Sequence, residues 1–240
     1  MTKVDAIKKV MEDNRGTATW AMIYDNIEKY YPTAKVSVDW EAGIRGVLYR
    51  EIKNKRNFKK IGFGIYALAD YDDKKEKISE KDPIKMHSYV EGICIELGNY
   101  ENYNTYTADP SAKFKDNIFL SNLSTLKTIP EFTYQGIIST VKRIDVLWFN
   151  KDGLLFPKRA FEIVDSIGTL GEAFNRTYQI GEFNLDFYII GTENNRGKFE
   201  DKRNKEPYIR AQNRYIYKSY DEIVAFYTKK LELETLKIFR

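Results

Sequence analysis

The chain has 240 residues and carries 39 Lys plus Arg against 35 Asp plus Glu, a formal net charge of +4. One cysteine (Cys94) rules out an internal disulfide and a thiolate zinc cluster, and one histidine (His87) rules out a site built from several histidines. No apolar run approaches the roughly 18 residues of a membrane span, and the start MTKVDAIKKV lacks the apolar stretch of a signal peptide, so the expectation is a folded, cytoplasmic protein with no membrane partner.

Charge is unevenly distributed. Residues 1–71 hold 13 basic and 9 acidic side chains, and the remaining 169 hold 26 of each, so the whole excess lies in the first third. In that third, Val4, Ile7, Val10 and Met11 recur at helical spacing, and Trp20, Ile23, Ile27 and Tyr30 repeat the pattern before Tyr31-Pro32 ends it. Ser37-Val-Asp-Trp-Glu opens a third helix with Ile44, Val47, Leu48 and Ile52 on one face. Phe58 to Leu68 reads as two short strands around a Gly-containing turn. The stretch from Asp70 to Lys85 is almost wholly charged, which predicts a first domain over 1–71, a linker over 72–85 and a second domain over 86–240.

In the second domain, Met86–Leu97 reads as a helix, followed by a polar, Tyr-rich loop over Gly98–Asp109 and a helix near Thr133–Thr140. Val141–Phe149 and Arg159–Val164 read as strands joined by an Asn150-Lys-Asp-Gly turn. A helix over Gly168–Gln179, a strand over Leu185–Gly191 and a final helix over Ser219–Leu233 complete an α/β pattern, α+β over the whole chain.

Seven basic residues against one acid, Glu51, lie between Arg45 and Lys60: Arg45, Arg50, Lys53, Lys55, Arg56, Lys59 and Lys60. A basic helix of this width fits the major groove of double-stranded DNA, and its cations displace counterions from phosphates. Equally, Arg45 can pair with Glu41 one turn away, and a solvated helix face remains the bland alternative. A second basic stretch, Arg196–Lys218, has eight cations against three acids; Arg203, Arg210 and Arg214 in it are candidates for lining a DNA cleft, with a solvated loop as the competing reading.

Asp145 sits in an apolar run, Ile-Asp-Val-Leu-Trp-Phe, and Glu162 in another, Ala-Phe-Glu-Ile-Val. Burying a lone carboxylate is costly unless it is paired or bound to metal. Two on neighbouring strands can share one divalent ion, and an all-oxygen set favours Mg²⁺ or Mn²⁺ over zinc. A local arginine, Arg143 or Arg159, is the alternative partner. His87, at a helix start, reads as structural or exposed, and Cys94, between Ile93 and Ile95, as core.

Trp40-Glu-Ala-Gly-Ile-Arg-Gly-Val-Leu followed by Phe58-Lys-Lys-Ile-Gly-Phe-Gly-Ile-Tyr-Ala-Leu resembles the winged helix-turn-helix modules found at the ends of some restriction endonucleases and chromatin proteins, over residues 1–71. Arg143-Ile-Asp-Val-Leu-Trp-Phe with Ala160-Phe-Glu-Ile-Val-Asp-Ser-Ile-Gly-Thr-Leu resembles the core of PD-(D/E)XK nucleases of the type II restriction endonuclease kind, and more weakly the likeness extends from His87 to Gly191. The resemblance implies a metal-dependent DNA endonuclease that restricts foreign DNA, with Asp145 and Glu162 as the motif acids. It also implies a helper acid on the opening helix (Glu91 or Glu96, with Glu96 as the metal-ligand candidate) and a weaker role for Gln135. A cognate methyltransferase is implied as a functional partner, and a homodimer is one way to cut both strands. The motif lysine falls on Val164. Lys142 or Lys158 could substitute for it, Asp165 could add a ligand, or catalysis is lost and the chain is a DNA-binding regulator.

Overall fold

The computed structural model describes residues 1–72, 83–115 and 117–238, so most of the expected linker lies outside the described residues. Two compact units emerge. The first gathers the described residues up to 72, residues 115, 117 and 118, and the last helix from Thr228 onward; the second holds 83–114 and 119–227.

In the first unit, α1 (Lys3–Asp13) opens on a capping box in which Thr2 Oγ1 accepts from the Asp5 N–H and Asp5 Oδ2 accepts from the Thr2 N–H. A strand absent from the sequence reading, β1 (Thr17–Thr19), runs directly into α2 (Trp20–Asn26), whose N-cap Thr19 accepts from the Met22 N–H. The third helix, α3 (Trp40–Lys53), starts three residues later than the Ser37 signal. Then β2 (Phe58–Lys60) and β3 (Ile65–Leu68) pair antiparallel, Phe58 opposite Leu68, and β1 adds to the free side of β3 in the order β1-β3-β2. Ile7, Val10, Met11, Ile23, Ile27, Ile44, Leu48, Ile52, Phe58 and Tyr66 close one core between helices and sheet.

The second unit begins with α4 (Pro83–Tyr100), then β4 (Asn104–Thr107), the short strands β5 (Lys113–Lys115) and β6 (Ile118–Phe119), α5 (Leu120–Leu123) and α6 (Gln135–Val141). There follow β7 (Val146–Phe149), β8 (Pro157–Val164), α7 (Ile167–Tyr178), β9 (Asp186–Gly191), α8 (Arg196–Arg203), β10 (Tyr215–Ser219) and α9 (Tyr220–Ile238), of which the second unit holds the part up to Tyr227. Five strands form a mixed sheet in the order β10-β9-β8-β7-β4, with β8, β9 and β10 parallel and β7 and β4 antiparallel to their neighbours. Both faces are covered, as such a sheet requires. One face carries Leu147, Phe149, Ala160, Val164, Phe187 and Ile189 against Leu170, Ala173 and Phe174 of α7. On the other, Trp148 packs on Phe161 and donates from Nε1 to the Cys94 carbonyl of α4 at 3.0 Å. That approach needs Gly98, where an added Cβ would stand 2.6 Å from both Thr105 and Trp148.

Three sequence expectations change. Asp145 is not inside a strand: α6 runs to Val141, turn hydrogen bonds Arg143 N–H to Thr140 O and Ile144 N–H to Val141 O continue the winding, and β7 begins only at Val146. The Tyr-rich loop contains β4, whose alternate residues Thr105 and Thr107 are buried; Thr105 donates to Asn99 Oδ1 at 2.7 Å, so a polar strand is accommodated inside. The basic stretch Arg196–Lys218 is no solvated loop: it forms α8, a 3-10 segment (Tyr208–Arg214) and the sheet-edge strand β10.

Candidate metal centre at the strand ends

Parallel register brings Val164, Gly191 and Ser219 level, so β8, β9 and β10 finish together. Open α/β sheets bind ligands beyond such carboxyl ends. The antiparallel β7 starts at the same end, with Val146 opposite Phe161, and leaves Glu162–Val164 extending past it. Asp145 fills that fork: its Oδ2 accepts the Ile163 N–H at 2.6 Å, taking the place of a sheet hydrogen bond.

Helix α4 adds His87 and Glu91, four residues apart and therefore on one face. His87 Nε2 lies 3.9 Å from Glu91 Oε1 and 3.8 Å from Asp145 Oδ2, and ligand atoms of the three all lie within 4.8 Å of one another. Behind the ring, Nδ1 is 2.8 Å from Oδ2 of Asp165, the residue after β8, and Asp165 Oδ1 accepts from Tyr220 Oη at 2.5 Å, the residue after β10. Glu91 is 2 % exposed and accepts no hydrogen bond among the described residues.

Electrostatics follow from this crowding. Burial pushes the Glu91 carboxyl well up, and the neighbouring Asp145 charge adds to it. Burial also raises Asp145, opposed by His87 and the Ile163 N–H. For His87, burial works downward, but the Asp165 hydrogen bond and the charges of Asp145 and Glu91 outweigh it and lift the imidazole to about 9. Asp165 is itself pushed up by burial, yet the bonds from His87 and Tyr220 hold it below its ordinary value. The ring is thus an imidazolium at neutral pH, the one charge that fits between two carboxylates.

Glu162 takes the other sheet face. It is fully buried and receives a two-pronged pair from Arg176 of α7, Nε to Oε1 at 2.7 Å and Nη2 to Oε2 at 2.5 Å. Burial nevertheless lifts its carboxyl to about 8, against the arginine. Glu162 is therefore not one of the three converging ligands, although its charge and that of Asp145 act on each other. Nor is Glu96, which accepts from Tyr227 of α9 instead. Gln135 is exposed and donates to Glu131 at 2.9 Å, so it turns away from the group. Lys142 and Lys158 are exposed and form no ion pair among the described residues; Val164 is buried in the core. His87, read as structural or exposed from sequence, stands at the centre. The helical spacing of His87 and Glu91 was the available signal; the partners Asp165 and Tyr220 come from distant strands and carried none.

Of the candidate DNA contacts, Arg50, Lys53, Lys55 and Arg56 are exposed at the end of α3 and just beyond it. Arg45 bonds Tyr24 Oη at 2.9 Å and also meets Glu41, in line with the bland alternative. Lys59 donates to the Tyr71 carbonyl, and Lys60 lies over the Phe63 ring. The second basic stretch is largely occupied. Arg214 donates to the carbonyls of Phe183 and Gly181, Arg203 to that of Tyr215, and the exposed Arg210 pairs with Glu206. Arg203 and Arg214 thus tie backbone together and are not free to line a cleft.

The chain matches no protein-family model, no curated protein and no solved structure. It is a mixed α/β protein, and among its described residues no helix is long and apolar enough to cross a membrane.

Proposed function

We propose that this chain is a metal-dependent DNA endonuclease, with a winged helix-turn-helix reader in its first unit and a PD-(D/E)XK-like second unit. The observation that carries the reading is the meeting of Asp145, Glu91 and His87 at the fork where β7 and β8 part. The carboxylates of Asp145 and Glu91 suit a divalent ion, Mn²⁺ or Mg²⁺, whose chemistry would be to polarise a phosphodiester and to acidify water. Asp145 and Glu91 would hold the ion, and Ile163 fixes Asp145 through its backbone N–H. Arg176 keeps Glu162 in one orientation beside them. The order of elements in the first unit, three helices and a hairpin with exposed cations after α3, supports delivery of duplex DNA. Restriction of foreign DNA in the cytoplasm, with a methyltransferase protecting the host and a homodimer cutting both strands, is the setting proposed for it.

A second reading is favoured by a specific pair of facts: Val164 is in the core where the motif has lysine, and Glu162 is engaged by Arg176. On that reading the chain binds DNA without cutting it. Incubation of varied plasmids, methylated and unmethylated, with Mn²⁺ or Mg²⁺ separates the two. Cutting that Asp145→Ala abolishes supports the enzyme; plasmids left intact by wild type support the regulator.

A further inference from the structure

We infer that His87 is itself a metal ligand, through Nε2, in a three-residue centre with Glu91 and Asp145 that selects a first-row transition ion over Mg²⁺ or Ca²⁺. This rests on the proposed metal-dependent reading and goes beyond it in the ligand set and the ion.

Four observations lead here. First, the three ligand atoms lie within 4.8 Å of one another, close enough for small side-chain movements to enclose one ion. Second, Glu91 is 2 % exposed and accepts no hydrogen bond among the described residues, with His87 Nε2 3.9 Å from its Oε1. A buried carboxylate without a hydrogen bond is expensive unless a cation completes it. Third, Nδ1 of His87 is already committed to Asp165 at 2.8 Å, which aims Nε2 at the two carboxylates. A ligating histidine characteristically holds its other nitrogen on a carboxylate in this way. Fourth, Tyr220 fixes Asp165 in turn, so the ring is held from two strand ends. Nitrogen in the set matters for the ion. Mg²⁺ and Ca²⁺ are bound by oxygen, while imidazole suits the first-row transition series.

The test uses the full chain, stripped of metal, with Mn²⁺ as the probe. Binding is followed by electron paramagnetic resonance, with Mg²⁺ and Ca²⁺ as competitors. The expected result is a saturable Mn²⁺ site with nitrogen hyperfine coupling that a large excess of Mg²⁺ displaces poorly. In His87→Gln the coupling disappears and affinity falls by roughly tenfold or more. Asp165→Ala, which removes only the orienting group, weakens binding about 10–100-fold while the coupling remains. Glu91→Gln, close in shape and checked for folding by circular dichroism, weakens binding and keeps the coupling; it serves if His87→Gln does not fold. Absent nitrogen coupling, or unchanged affinity in His87→Gln, overturns the inference. Mn²⁺ binding as expected without DNA cleavage upholds the centre and sinks the nuclease. Cleavage with Mg²⁺ that His87→Gln leaves intact, without nitrogen coupling, does the reverse.

Discussion

His87 Nδ1 and Asp165 Oδ2 are 2.8 Å apart, joining a helix that opens the second unit to the residue that follows its central strand. The contact holds the imidazole as a cation against Asp145 and Glu91. Removing it with Asp165→Ala should cost about 1–2 kcal/mol at neutral pH, the range of a charge-assisted bond discounted because both side chains are about a third exposed. Urea denaturation of the metal-free protein measures this, and an unchanged midpoint contradicts it.

Stability of the metal-free protein should fall as pH rises from 6.5 to 9. His87 is raised in the folded state from 6.5 to about 9, so its contribution is complete below 6.5 and is lost as pH passes through the folded value. Glu162 acts in the same direction: its carboxyl is lifted from 4.5 to about 8, so the unfolded chain ionises first and gains on the folded one between those values. Asp165, held below 3.8, works the opposite way only in acid. Thermal melting in chelator should show the decline, flattened in His87→Gln. A melting temperature that rises over this window would count against the assignment of these charges.

The Glu162–Arg176 pair is buried on the glutamate side, so losing one partner is worse than losing both. Arg176→Ala should destabilise by about 1–3 kcal/mol at neutral pH, because it strips the buried Glu162 carboxyl, itself lifted to about 8, of both its hydrogen-bond donors. Glu162→Leu combined with Arg176→Met should recover most of that loss. Equal destabilisation by the single and double variants, measured in urea, would mean that the pair contributes through packing alone.

DNA binding by the first unit should depend on the exposed cations Arg50, Lys53, Lys55 and Arg56 more than on Arg45. Each lost phosphate contact lowers the slope of log K against log salt by about 0.9. Alanine at all four positions should therefore flatten the salt dependence in a fluorescence anisotropy titration, while Arg203→Ala and Arg214→Ala should act on stability instead. A slope unchanged by the four substitutions would remove α3 from the interface.

Helices and apolar strands were legible in the sequence because their periodicity is local. Ile44, Leu48 and Ile52 announce α3, and Phe187, Ile189 and Ile190 announce β9. Strands β1, β4 and β10 were missed, since Thr17–Thr19 and Asn104–Thr107 are polar and β10 is masked by flanking cations; pairing with distant strands decides all three. At the candidate centre, Asp145 was recognisable by its apolar neighbours, although it precedes β7. Its joining with His87 and Glu91 was not, because a 58-residue separation in chain carries no spacing rule, and the side chain of Glu162 takes the face of Arg176. Continued backward, the register would set Asp145 opposite Glu162 on one face, but Asp145 stands in the turn before β7 and its carboxylate caps the Ile163 N–H instead, which is why two acids that look equivalent in sequence have different partners.

Digestion of a defined duplex library, methylated and unmethylated, followed by sequencing of the ends, addresses metal-dependent cleavage at Asp145 most directly. The expected result is a set of discrete ends that appears with Mn²⁺, vanishes in chelator and is absent with Asp145→Ala. Intact duplex under every metal condition, or the same ends from Asp145→Ala, would contradict it.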